Sequence, residues 1–230
     1  LKVNLIPVKK KTFISNNTWV YGCLHEYNDI DSSLVISNNN LSVYHGNDNF
    51  ITEKSLIPFK KKVGNIDVGC IPFAYINYYP YLLNGISNKQ NKSEARRLEN
   101  LFMDYGIKQS KILKPKIIIP FGSNLFHIDN PKCAMNKGVA TPVDFVNYAK
   151  KQHKHLSNNY KTMLSGSFCL KKNDKIQLFY ENIDKQYFNS ELIKFTNKKK
   201  QTKVKKNKIN IVTINKDKLI NLKNKISKNN

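Results

Sequence analysis

The sequence has few cysteines and no long apolar run, and each shortage excludes a class of protein. Its four cysteines, Cys23, Cys70, Cys133 and Cys169, lie far apart and form no C-x-x-C pair. This spacing excludes a zinc ribbon and a disulfide framework, and it is typical of reduced thiols in a cytoplasmic protein. No stretch approaches the roughly 20 apolar residues of a transmembrane helix, and no signal-peptide pattern is present. We therefore expect a cytoplasmic protein without a membrane span.

Acidic residues are also scarce. The chain has 39 Lys and Arg but only 16 Asp and Glu, which gives a formal net charge of +23. Such an excess is typical of proteins that bind nucleic acid or an anionic surface. However, Lys, Asn and Ile are abundant together, and an A/T-rich coding sequence produces that composition without selection for a ligand. The charge alone therefore does not identify a partner.

The chain is long enough for one domain with a real core. It has 230 residues, of which 40% are hydrophobic, including 12 Phe and 12 Tyr. We expect one domain in residues 1–190 and a solvated Lys/Asn-rich extension in residues 191–230. The sequence begins with Leu rather than Met, so we expect it to be part of a longer protein.

Several segments are predicted to be strands. Residues 12–23 mix β-branched and aromatic side chains, and residues 34–36 and 41–44 flank an Asn-rich turn that is typical of a β-hairpin. After a basic stretch, an apolar and aromatic segment at residues 65–83 is predicted to be a buried strand that runs into a loop. The continuous apolar run at residues 112–120 is typical of a strand covered on both faces. A further strand pair is expected around residues 176–180.

Two helices are predicted between these strands. Ser93 is a suitable N-cap for EARRLENLFMDY, whose apolar residues recur at helical spacing, and Gly106 is expected to end this helix. Thr141 and Pro142 are typical of a second helix start, since Thr caps well and Pro suits the first turn. Strands that alternate with helices in this order indicate an α/β layered domain.

Three polar clusters next to strands contain candidate site residues, namely His25, Asp48 and His127. Imidazole and carboxylate groups are the ligands that divalent metals such as zinc prefer. An aspartate that bridges two metals, with histidines from separate loops, would suit hydrolysis by an activated water. A histidine at a strand end more often binds a backbone carbonyl or water, however, so the pattern alone leaves both interpretations open.

Four segments resemble a known family when taken in chain order. They are DSSLVISNNNLSVYHGND, DVGCIPFAYINYYPYLL, LKPKIIIPFGSNLFHIDN and MNKGVATPVDF. Together they resemble the later half of the metallo-β-lactamase fold. More narrowly, they resemble bacterial proteins related to the UlaG-like hydrolases and to the metallo-β-lactamase-like part of CMP-sialic acid hydroxylase. The resemblance covers residues 21–150. It implies an α/β fold, the αββα sandwich, with its C-terminal half in this chain followed by a Lys-rich tail.

The resemblance also implies roles for the three candidates. Asp48 matches the aspartate of the family's G-D turn, which bridges the metals, and His25 matches a further histidine ligand. His127, in a His-x-x-Asn segment, would be the last ligand, or would orient the substrate or donate a proton. The implied cofactor is a divalent metal, zinc first, with iron or manganese as alternatives. The implied reaction is hydrolysis of an ester, phosphoester or amide in a small molecule, with a sugar- or nucleotide-linked substrate as one option.

One departure from the family keeps a second hypothesis open. The defining H-x-H-x-D-H motif is missing, because nothing before His25 resembles it. The only H-x-H, at His153 and His155, is followed by Leu-Ser-Asn, so we expect it to lie outside the centre. His45, just before the G-N-D turn, is expected to be structural. The alternative to a hydrolase is a non-catalytic basic module on a degenerate fold, which would bind nucleic acid through its tail or act as a protein scaffold.

Overall fold

The structure, a computed structural model, describes residues 10–26, 31–74, 79–80, 85–122, 140–163 and 167–179, together with residues 190 and 194. Its strands are β1 (Thr12–Ser15), β2 (Thr18–Leu24), β3 (Ser32–Asn38), β4 (Ser42–His45), β5 (Val68–Pro72), β6 (Ile117–Phe121), β7 (Phe168–Lys172) and β8 (Lys175–Phe179). Its helices are α1 (Glu53–Val63), α2 (Asn88–Leu113), α3 (Pro142–Gln152) and a 3-10 helix at Lys154–Asn159.

Strands β1 to β6 form one mixed sheet in chain order. Strands β1 to β4 pair antiparallel, and the expected hairpin is confirmed by the register of Val35 opposite Tyr44. Strands β4, β5 and β6 pair parallel through the crossover helices α1 and α2. Because such crossovers are right-handed, both helices lie on the same face of the sheet. The predicted α/β architecture is therefore confirmed.

Helix α1 was not predicted, because its sequence looks like a basic linker. Lys60, Lys61 and Lys62 occupy its last turn, where they suit the negative end of the helix dipole. Three of its apolar residues, Leu56, Phe59 and Val63, are spaced for one helical face and are buried, whereas Ile57 is exposed. Lys61 and Lys62 are exposed to solvent, while this apolar stripe holds the helix on the sheet.

Helix α2 is longer than the sequence predicted at both ends. It begins after Ser87, which forms a capping box with Gln90, and not at Ser93. It also continues through Gly106, where a Cβ atom would lie 2.8 Å from the carbonyl oxygen of Pro72. Gly106 is thus a point of close approach to β5 and not a terminator. The helix ends at Lys114, whose φ of 48° is left-handed.

The predictions for the strand after α2 and for the start of α3 have different outcomes. The strand expected at residues 112–120 is shortened to Ile117–Phe121, since the last turn of α2 takes its first residues. The helix start at Thr141 is confirmed, because its hydroxyl accepts a hydrogen bond from the backbone N–H of Asp144, whose carboxylate accepts in return.

The core fills the layer between the sheet and the three helices. Phe73 and Phe145 contact each other at 5.1 Å between ring centroids, and Tyr44 meets Phe59 edge-on at 5.9 Å. Helix α3 joins this layer through Phe145, which also contacts Tyr160. No helix among the residues described is long and apolar enough to cross a membrane.

The β7–β8 hairpin is a separate two-stranded sheet. The strand expected near residues 176–180 is confirmed as β8, and it pairs with β7. The hairpin is tied to the start of β5 because the Lys171 ammonium lies 3.1 Å from the Asp67 carboxylate. Lys116 binds the other oxygen of Asp67 at 2.9 Å. Each of the cysteines described, Cys23, Cys70 and Cys169, is a thiol, as expected.

Candidate metal centre

Two of the predicted site residues follow strands that end at the same edge of the sheet. Strands β2, β4, β5 and β6 run in one direction, since β3 is antiparallel to both β2 and β4. His25 directly follows β2, and Asp48 lies three residues after β4. Gly122 follows β6 at this edge and leads toward His127. The topology therefore brings the segments of His25 and Asp48 to one edge of the sheet.

The turn that carries Asp48 is fixed by its backbone. The N–H of Gly46 donates to the carbonyl of Cys70 at 2.9 Å, and the N–H of Asn49 donates back to the carbonyl of Gly46 at 3.2 Å. A Cβ atom on Gly46 would lie only 2.3 Å from Cδ of Pro72, so only glycine fits there. Asp48 is exposed in this turn, and its carboxylate is therefore presented to solvent from a rigid support.

A buried polar network, formed by Ser33, Tyr44, Gln109 and Asn49, supports the turn from below. The Ser33 hydroxyl donates to the carbonyl of Gly46 at 2.9 Å, and the Gln109 amide donates to the carbonyl of Asn49 at 3.1 Å. The Tyr44 hydroxyl lies 3.1 Å from the Ser33 oxygen and 3.2 Å from the Gln109 amide oxygen. Burial raises the pKa of Tyr44, so this hydroxyl stays neutral and available for hydrogen bonding.

Asn49 connects this network to the end of β2. Its side-chain amide donates to the carbonyl of Cys23 at 3.0 Å, two residues before His25. The segments of Asp48 and His25 are thereby held side by side. The side-chain oxygen of Asn49 is buried and has no hydrogen-bond partner in the part of the chain described. A buried acceptor left unsatisfied costs about 1–3 kcal/mol, so this oxygen is suited to a donor or a cation at the sheet edge.

Glu26 joins the end of β2 to the start of α1. Its carboxylate accepts hydrogen bonds from the N–H and hydroxyl of Thr52 and from the N–H of Ser55. Burial opposes ionisation of Glu26, but these hydrogen bonds outweigh it and hold its pKa below the usual value. Glu26 therefore caps α1 in place of the Thr52 side chain, which makes no capping hydrogen bond. The sequence did not predict this role of Glu26, because it did not predict helix α1.

An open groove of about 550 Å³ lies beside His25, between the end of β2 and α1. Tyr21 and Phe59 line it with aromatic surface, and their ring centroids are 5.7 Å apart. Lys54 and Lys62, two turns apart on α1, add positive charge. The groove therefore combines an apolar wall with cationic groups.

The remaining candidates are His127 and His45. His127 lies outside the residues described, five positions after Gly122 in the sequence. No three metal-binding side chains cluster among the residues that are described, and the complete ligand set stays a prediction. His45 makes internal contacts, as expected for a structural residue: its Nδ1 accepts from the N–H of Asn47 at 3.2 Å and its ring meets Phe121 at 4.3 Å.

The H-x-H motif is remote from this edge. His153 hydrogen-bonds to Tyr160, which bridges to Ile118 near the start of β6. Because β6 runs toward the Asp48 edge, its start lies at the opposite edge of the sheet. The expectation that His153 and His155 stand apart from the Asp48 turn agrees with this placement.

Comparisons with known proteins gave structural matches alone. No protein-family model and no curated protein sequence matches the chain. A protein proposed to be a Zn-dependent hydrolase of the metallo-β-lactamase superfamily, from Thermotoga maritima, aligns with a TM-score of 0.30 and 18% identity, over 51% of this chain and 48% of that one. CmlA, a diiron β-hydroxylase from Streptomyces venezuelae, aligns with a TM-score of 0.40 and 11% identity, over 75% of this chain and 33% of that one. This chain thus spans a third to a half of the length of these two structures.

Proposed function

We propose that this chain is the later half of a metal-dependent hydrolase-type domain of the metallo-β-lactamase type, in residues 1–190, with residues 191–230 as a basic extension. The substrate would be a small molecule with an ester, phosphoester or amide bond. The observation that carries the proposal is the buried network that clamps the exposed Asp48 turn to the end of β2, beside His25. Such rigid support of one exposed carboxylate is what a metal ligand requires.

The side chains at this edge fit a divalent metal in type. His25 offers an imidazole and Asp48 a carboxylate, which are zinc ligands and also serve iron or manganese. The unsatisfied side-chain oxygen of Asn49 adds a further polar acceptor in the same turn. His127 would supply the next ligand or act on the substrate. When bound, the metal would supply Lewis acidity and an activated water for hydrolysis.

The groove beside His25 supports a choice of substrate class. Lys54 and Lys62 would attract a phosphate or another anionic group, while Tyr21 and Phe59 offer aromatic faces that suit a sugar or a base. Glu26 also lines the groove, and its carboxylate is bound to the N–H groups of Thr52 and Ser55 at the start of α1. These features favour an anionic, sugar- or nucleotide-linked ester.

Metal content of purified variants tests the proposal. Elemental mass spectrometry should find at least one equivalent of zinc, iron or manganese in the wild type and less in Asp48→Asn and His25→Ala. Asp174→Asn is the matched control, because Asp174 is also an exposed aspartate in a turn, on the β7–β8 hairpin. This control should keep the wild-type metal content.

Equal metal content in Asp48→Asn and the wild type would remove Asp48 from the centre. A metal-free wild type that binds nucleic acid with a steep salt dependence would instead support the basic binding module.

A further inference from the structure

The H-x-H motif forms a second histidine cluster, remote from the Asp48 turn. His153 ends α3, and its N–H donates to the carbonyl of Ala149 at 2.7 Å. Side chains two residues apart point to different faces of a continuous helix. Here the backbone leaves the helix at His153, with φ of −134° and ψ of 57°, and the two imidazoles converge. Their Nε2 atoms are 3.1 Å apart.

The two histidines differ in exposure and freedom. His153 is 1% exposed, whereas His155 is exposed at the start of the 3-10 helix. The Nδ1 atom of His153 is 2.9 Å from the hydroxyl of Tyr160. Tyr160 is itself held in the core, since it is 2% exposed and the next residue, Lys161, donates its N–H to the carbonyl of Ile118. His153 is therefore a fixed ring with Nε2 directed to the surface partner, His155.

This arrangement matches the support that metal-binding histidines receive. Such a histidine usually makes a hydrogen bond through its other ring nitrogen, which fixes the orientation of the ring. Tyr160 makes that contact for His153.

The two rings are close enough to share one ion. Their centroids are 4.4 Å apart, and the ring planes meet at 83°. Two imidazole nitrogens at about 2.0–2.1 Å from one tetrahedral ion lie roughly 3.3 Å apart. The observed separation of 3.1 Å is close to that value.

We propose that His153 and His155 bind one late first-row divalent metal ion through their Nε2 atoms, with water as the remaining ligands, at a site separate from the Asp48 turn. Zinc, nickel and copper are the ions that imidazole prefers, with copper the tightest. The donors are two imidazoles, which suit these ions better than magnesium or manganese, since those two prefer oxygen ligands. An ion here would link the end of α3 to the 3-10 helix that precedes Tyr160.

Calorimetric titration of Zn²⁺, Ni²⁺, Cu²⁺, Mn²⁺ and Mg²⁺ into the full chain tests this site. The wild type should bind one ion more of Zn²⁺, Ni²⁺ and Cu²⁺ than His155→Ala, with copper tightest. Asp48→Asn and Lys154→Ala are the controls. Both should keep this equivalent, so failure at this site and failure at the Asp48 centre are told apart. His155 is exposed, so its replacement should leave the fold intact, which circular dichroism checks.

Two further measurements locate the ion. Zn²⁺ should shift the side-chain nitrogen signals of His153 and His155 in nuclear magnetic resonance spectra of Asp48→Asn. Tyr160→Phe should bind Zn²⁺ about 10-fold more weakly, since it loses the hydrogen bond on Nδ1. Zinc binding that is identical in His155→Ala and the wild type, or Mn²⁺ binding that is lost in His155→Ala, would overturn the proposal.

Discussion

Replacing Gln109 by leucine tests the buried network beneath the Asp48 turn. The Gln109 side chain is 1% exposed, and it reaches from α2 to Tyr44 and Asn49. Its amide nitrogen donates to the carbonyl of Asn49, and its amide oxygen lies 3.2 Å from the Tyr44 hydroxyl. Leucine has a similar size and helix propensity but makes neither hydrogen bond.

The structure sets the expected cost of Gln109→Leu. Each lost hydrogen bond removes about 0.5–1.5 kcal/mol of net stability. The buried carbonyl of Asn49 also loses a donor, and that desolvation costs on the order of 1–3 kcal/mol. The Tyr44 hydroxyl still has Ser33 as a hydrogen-bond partner, so its loss of Gln109 adds little to the destabilisation. The free energy of unfolding should therefore fall by about 2–4 kcal/mol.

Urea unfolding of the full chain measures this loss, and Tyr44→Phe is the matched control. That variant removes one hydroxyl from the same network and leaves the Asn49 carbonyl bonded, so it should lose about 1 kcal/mol. The double variant should lose less than the sum, because the two side chains share one hydrogen bond. Amide hydrogen exchange at residues 46–49 should accelerate in Gln109→Leu. A loss below about 0.5 kcal/mol, with unchanged exchange in the turn, would refute the reasoning.

Three further substitutions test other parts of the fold. Asp67→Asn should flatten the pH dependence of thermal stability below about pH 4. Burial opposes ionisation of Asp67, but hydrogen bonds from Lys116 and Lys171 outweigh it and lower its pKa. The stabilisation from Asp67 is therefore present above its unfolded-state pKa and is lost as the pH falls through its folded-state pKa. Identical acid profiles of the wild type and Asp67→Asn would contradict this. Gly106→Ala should lower the free energy of unfolding by about 1–3 kcal/mol, because the added Cβ meets a β5 carbonyl. An unchanged urea midpoint would show that the helix can shift to accommodate it. Thr141→Ala should lower the free energy of unfolding by about 1 kcal/mol, because the capping box is lost. Thr141→Ser should retain most of this stability. Equal losses in the two variants would argue against the cap.

The sequence predicts the fold where pattern and local chemistry agree. The hairpin around residues 38–40 was found because β-branched residues flank an Asn-rich turn, and α3 was found because Thr141 and Pro142 mark its start. Helix α1 was missed because its three consecutive lysines hide a one-sided apolar stripe. The end of α2 was misplaced because Gly106 serves a contact with β5, and such tertiary contacts leave no local signal.

Only part of the candidate site is predictable from the sequence. His25 and Asp48 were selected by residue type and by motif resemblance, and the topology then brings their strands to one edge. The network that holds them was not predicted, because Gln109 lies about 60 residues from Asn49 in sequence and its burial depends on the packing of α2. The convergence of His153 and His155 depends on where α3 ends, which spacing alone does not give.

The most direct test of the central claim is anomalous diffraction at the zinc absorption edge from crystals of the chain grown with zinc. The account predicts a peak at about 2.0–2.2 Å from a carboxylate oxygen of Asp48, at the edge where β2, β4 and β6 end. It also predicts a separate peak between the Nε2 atoms of His153 and His155. A peak at the histidine pair with none near Asp48 would contradict the proposed hydrolase-type centre in this chain and leave the second site standing.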